Sequence, residues 1–101
     1  MLNLPITISQ TEIEAFCERH HIRKLALFGS VLRDDFRPDS DIDVLVEYVV
    51  GEHVTFFDMV QQENELSGIL NRTVDMRTPP ELSRHFRKKV METAQVIYER
   101  T

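Results

Sequence analysis

The 101-residue chain has a single cysteine, Cys17, so it cannot form an internal disulfide, and a reducing setting is the simplest expectation. Nowhere does an apolar run approach the ~20 residues of a membrane-spanning helix. The start, Met1-Leu2-Asn3-Leu4-Pro5, lacks the basic residues and apolar stretch of a secretory signal, so a soluble, cytoplasmic protein is expected, with no membrane partner. Basic residues are in deficit: 12 Lys and Arg against 17 Asp and Glu give a net charge of −5. Unless a local basic face or bound cations intervene, that balance suits a phosphate backbone poorly, and no direct nucleic-acid partner is expected. Glycine (3) and proline (4) are also few, and 42% hydrophobic with 29% charged residues is a globular composition, not that of a disordered tail. The length fits one domain over residues 1–101 and leaves no room for a second.

What is present reads as alternating helices and strands. Ser9 and Thr11 each precede a glutamate by three residues (Glu12, Glu14), two overlapping capping boxes that open a helix running to about His20. Its apolar face carries Ile13, Phe16 and Cys17, which makes Cys17 a small core residue. His20 and His21 at the helix end need no ligand role. Lys24-Leu25-Ala26-Leu27-Phe28 is a short apolar run halted by Gly29-Ser30, hence a buried strand and a tight turn, followed by one helical turn at Val31-Leu32-Arg33. Ile42, Val44 and Val46 alternate with Asp41, Asp43 and Leu45 in a second strand to about Tyr48, expected beside the first. Residues 49–54, His53 among them, form a surface connection. Phe56, Met59, Val60, Leu66, Ile69 and Leu70 recur at helical spacing up to about Asn71. Residues 72–77 predict a third strand, stopped by Pro79-Pro80, and Phe86, Val90, Ala94 and Ile97 step by three and four in a final helix from about Leu82 to about Ala94. The expected fold class is α/β: a small mixed sheet of three or more strands with helices packed against it.

Two short motifs carry chemistry. Asp41 and Asp43 stand two apart, so both carboxylates leave one face of a strand, where they repel each other. A divalent cation compensates such a pair, and hard oxygen donors suit Mg²⁺ or Mn²⁺; a solvated strand end is the alternative. Gly29-Ser30 leads from strand into helix, where backbone N–H groups and a hydroxyl can receive phosphate oxygens; the alternative is a plain turn. Ten residues separate Ser30 from Asp41. On adjacent strands the two motifs together can place a triphosphate over a metal.

Gly29-Ser30, ten residues, then Asp41-Ile42-Asp43 resembles the signature of the DNA polymerase beta-like nucleotidyltransferase superfamily. The wider text, residues 27–33 and 40–46, is similar to its minimal branch, the MNT domain, antitoxin half of HEPN/MNT toxin–antitoxin modules. Val74-Asp75-Met76 with Thr78-Pro79 and Glu81-Leu82 resembles the third-carboxylate strand and its exit. The resemblance runs from about Leu25 to the C-terminal helix. It implies a nucleotidyltransferase fold in which Gly29, Ser30 and Arg33 hold nucleotide phosphates. By the same resemblance Asp41 and Asp43 would bind Mg²⁺ or Mn²⁺, and Asp75 would be a third carboxylate, placed to bind a second metal or to act as a base. Arg77 departs from the expected pattern, since a hydrophobic residue is expected there; it can pair with Asp75 or contact phosphate.

That resemblance implies nucleotidyl transfer: a hydroxyl attacks the α-phosphorus of ATP and pyrophosphate leaves. In the branch it resembles, AMP goes onto a tyrosine of a partner HEPN ribonuclease toxin, which silences it. Two rival expectations stand beside this one: a binding module that neutralises its partner by occlusion, and a small enzyme that adenylylates an antibiotic or metabolite. The third is weakened by the lack of a substrate-binding domain.

Overall fold

The computed structural model describes residues 6–33 and 36–100; the Met1–Pro5 segment read above for a secretory signal lies outside them. Along the chain come α1 (Gln10–Arg19), β1 (Ile22–Phe28), β2 (Ile42–Tyr48), α2 (Phe56–Leu70), β3 (Val74–Arg77), α3 (Arg84–Thr93) and β4 (Gln95–Glu99). Short 3₁₀ turns occupy Gly29–Leu32 and Pro79–Glu81. The strands form one four-stranded sheet in the order β3-β2-β1-β4. β1 runs antiparallel to both β2 and β4, and β2 runs parallel to β3. The parallel pair needs a long crossover, which the fifteen residues of α2 supply.

Period-two alternation gives the sheet two faces. Leu25 and Leu27 of β1 with Ile42, Val44 and Val46 of β2 point to one side, where Ile13, Phe16 and Cys17 of α1 and Leu66 and Leu70 of α2 close over them. Each such side chain, fully buried, contributes roughly 1.5–3 kcal/mol. The other face carries Ala26, Phe28 and Leu45, under Leu82 and Val90. Cys17 is fully enclosed, and burial pushes its thiol up to about 12, which fits the core role read from the sequence. Ser9 caps α1 as expected, accepting a hydrogen bond from the Glu12 N–H. His20 lies with Nε2 2.8 Å from Glu65 Oε1, linking α1 to α2.

Three expectations change. The C-terminal helix ends at Thr93, as expected near Ala94, but the segment holding Ile97 is a further strand, β4. The three-and-four stepping through Ile97 mimicked a helix, but Val96, Ile97 and Tyr98 favour a strand and β1 offers a free edge. Phe56 is 78% exposed and not in the core; the buried stripe of α2 runs through Gln62, Leu66 and Leu70, and Phe56 stands beside it. Gln62 is buried because its Oε1 accepts the Tyr48 hydroxyl at 2.6 Å. Strand β3 starts at Val74, since Asn71 ends α2 in the left-handed conformation (φ 55°). Asn71→Ala places a Cβ-bearing residue without Asn's local hydrogen bonding there and should cost about 1 kcal/mol, whereas Asn71→Gly should be neutral or better. Urea midpoints at unchanged m-value check this.

Candidate active site

Strand β1 ends at Phe28, which stands opposite Asp43 in the β1–β2 register. The next residue, Gly29, turns the chain with φ +76°, a region that disfavours a Cβ. A second constraint is steric: a Cβ on Gly29 would fall on Oδ2 of Asp43 and 3.2 Å from its Cγ. The Gly-Ser turn and the second aspartate of the motif, Asp43, are thus in direct apposition. Ser30 follows in the 3₁₀ turn, half-buried, and its hydroxyl makes no hydrogen bond among the described residues. Arg33 closes that turn, its N–H donating to the Ser30 carbonyl at 2.9 Å.

Asp75 lies across from Asp43 in the parallel β2–β3 register, so the two carboxylates are nearest cross-strand neighbours on the face shared with Leu45. Asp41 is exposed and sits one residue ahead of β2 rather than inside it. Burial, followed by the negative charges of Asp75 and Asp41, holds the Asp43 carboxyl above the usual range; Arg77 and Arg33 pull the other way. Asp41, Asp75, Arg33 and Arg77 therefore all act electrostatically on Asp43. Arg77 takes the first of its two expected roles, with Nη2 3.2 Å from Asp75 Oδ2.

Three residues that place these carboxylates escaped the sequence reading. Because β3 is a sheet edge, its N–H groups need partners, and α2 provides them: Ser67 Oγ accepts from Val74 N–H at 3.0 Å and Glu63 Oε2 from Met76 N–H at 2.7 Å. These two bonds bracket Asp75. Arg72 donates to the carbonyls of Arg37 (2.6 Å) and Ser40 (2.9 Å) and stacks over Phe36, which pins the loop leading into Asp41. Glu63 and Ser67 sit four apart on one helix face, the only local signal; the Arg72 contacts reach 32 and 35 residues back, beyond any spacing rule.

Among the described residues no group of three or more His, Cys, Asp or Glu forms a metal cage. The donor chemistry nevertheless fits Mg²⁺, which is commonly held by one or two carboxylates with water and phosphate oxygens completing its shell. Asp41 and Asp43 would be the carboxylates for that role.

The polymerase beta nucleotidyltransferase family matches residues 11–101. Protein adenylyltransferase MntA of Thermococcus cleftensis is 30% identical over 81 residues, 80% of this chain and 78% of that protein. A solved structure described as a candidate minimal nucleotidyltransferase is 32% identical, covering 84% of this chain and 85% of its own, with a TM-score of 0.69. A complex of a tri-AMPylated Shewanella oneidensis HEPN toxin with its MNT antitoxin shares the fold at 17% identity and a TM-score of 0.64, covering 90% of this chain and 70% of that one. With its Gly-Ser turn set against an in-register carboxylate pair, the chain belongs to the polymerase beta nucleotidyltransferase family and resembles the MntA antitoxins of HEPN/MNT modules.

Proposed function

We propose that this protein transfers AMP from ATP to a tyrosine hydroxyl of a partner HEPN toxin and thereby neutralises it. The observation that carries the reading is the contact between Gly29 and the Asp43 carboxylate, with Asp75 in register on the next strand. It sets a phosphate-receiving turn beside two acids on one face. The name of the Thermococcus relative supports protein adenylylation. The AMPylated HEPN toxin held by an MNT antitoxin in the Shewanella complex supports the acceptor class.

In this reaction Gly29 and Ser30 seat the β- and γ-phosphates, and Arg33 offsets their charge. The tyrosine oxygen bonds to the α-phosphorus, the bond from that phosphorus to the bridging oxygen breaks, and pyrophosphate leaves. Asp75 takes the tyrosine proton, a base positioned by the Ser67 and Glu63 bonds on either side of it. Asp41 and Asp43 would hold Mg²⁺ or Mn²⁺, which when bound supplies charge neutralisation at the phosphates. ATP should accordingly bind more tightly than AMP, and calorimetry giving equal affinities would remove the phosphate role from the turn.

The Asp75–Arg77 pair favours a second reading, neutralisation by occlusion alone, because the guanidinium occupies the carboxylate that would have to receive the proton. Asp75→Asn and Arg77→Ala separate the two. For a base, Asp75→Asn should lower transfer by about 10²-fold or more with ATP binding kept, and Arg77→Ala should leave transfer equal or faster. For a surface ion pair, neither change matters, and stability moves by less than about 1 kcal/mol. The assay is transfer of labelled ATP to the purified toxin; a near-wild-type rate for Asp75→Asn supports occlusion.

A further inference from the structure

Phe86, one of the residues that step by three and four along the last helix, is 47% exposed. Its ring meets Phe28 edge to face, centroids 6.3 Å apart. Phe28 directly precedes Gly29 and stands opposite Asp43, so Phe86 packs against the residue that joins the turn to the carboxylate strand. The placement is firmly built. Leu82 and Val90 pack on the same sheet face, and Arg87 ties α3 to the exit of β3 through Nε to the Pro79 carbonyl (2.8 Å) and Nη2 to the Leu82 carbonyl (3.1 Å). Phe86 therefore cannot drift from the site without loosening the turn behind Asp75.

The charge on α3 completes the picture. Arg84, Arg87, Lys88 and Lys89 are four of the chain's twelve cations, and Arg84, Lys88 and Lys89 have no acidic partner among the described residues. A polyanion approaching three aspartates meets repulsion, and a cationic helix on the same face counters it. An exposed aromatic ring on a cation-rich helix, packed against the residue that leads into the Gly29-Ser30 turn, has the composition of a nucleotide stacking platform.

We infer that Phe86 is the stacking surface for the nucleobase of the bound nucleoside triphosphate, with the cations of α3 drawing the nucleotide in. The inference rests on the nucleotidyl-transfer reading above and adds a base-binding element to it. Inorganic tripolyphosphate carries the phosphates without a base, so it serves as the discriminating probe. In calorimetry with Mg²⁺, Phe86→Ala should weaken ATP binding about tenfold and leave tripolyphosphate affinity unchanged. Phe86→Leu, which keeps an apolar contact to Phe28 and lacks the ring, should behave like Phe86→Ala, whereas Phe86→Tyr should bind ATP as the wild type does.

The chain has no tryptophan, so Phe86→Trp introduces a single indole as a direct reporter. Its fluorescence should change with ATP and stay constant with tripolyphosphate. Wild-type ATP affinity in both Phe86→Ala and Phe86→Leu would overturn the stacking role alone. Equal loss of ATP and tripolyphosphate binding would likewise overturn it, as a structural role. A wild-type chain that binds neither probe would overturn this inference together with the reading it rests on.

Discussion

Replacing Asp41 and Asp43 together by Asn should lower AMP transfer by about 10³-fold, because the change removes the charge that holds a divalent cation while nearly preserving side-chain shape. The fold should survive, and without metal it should melt at an equal or higher temperature. Asp43 provides the reason. Its carboxyl is held above the usual range first by burial and then by Asp75 and Asp41, so its ionised form is less favourable in the folded chain than in the unfolded one. Protonation of Asp43 thus stabilises the fold: that contribution is complete below the unfolded pKa and is lost as pH rises through the raised, folded value. The Asn variant has no such loss. In chelator, its melting temperature relative to wild type should climb from acid to neutral pH, and a gap independent of pH would show that the carboxylates do not strain one another. A wild-type transfer rate in the same variant would remove both residues from the chemistry.

The Gly-Ser turn and the first two aspartates were legible in the sequence as short-range patterns, whereas Asp75 was reached only through the family resemblance. Gly29-Ser30 ends an apolar strand, Asp41 and Asp43 share a face by two-residue spacing, and both motifs flank one connection, so adjacency of β1 and β2 followed. Even the antagonism of Arg77 and Asp75 is a two-residue relation within one strand. What stayed hidden depends on tertiary contact. Strand β4 exists because β1 has an edge to fill, and nothing local distinguishes Val90-to-Ile97 stepping from a longer helix. Gln62 is polar in every sequence window and buried only because Tyr48 reaches it from β2. Arg72 supports Asp41 through carbonyls on a distant loop. Phe86, which the spacing places only on a helix, acquires its position from Phe28 and from the anchoring of Arg87.

Gly29 joins the two motifs, and Gly29→Ala should show how far one depends on the other. Two costs arise from one methyl group. The positive φ of +76° disfavours an L side chain by about 1–2 kcal/mol, a loss readable as a lower urea midpoint. The methyl also occupies the place of the Asp43 Oδ2, and since that oxygen ends a rotatable side chain, the carboxylate yields by turning away. Rotation keeps the stability loss moderate and takes the carboxylate out of the geometry that serves the phosphates, so transfer should fall by about 10²-fold or more. The two costs can be separated with Asp43→Ala as a second background. There the oxygen is absent, and Gly29→Ala should retain the backbone penalty while the steric part disappears, giving a smaller destabilisation than in the wild type. Equal destabilisation in both backgrounds, with transfer by Gly29→Ala near wild type, would mean that Gly29 serves the turn alone and that the contact with Asp43 has no part in the reaction.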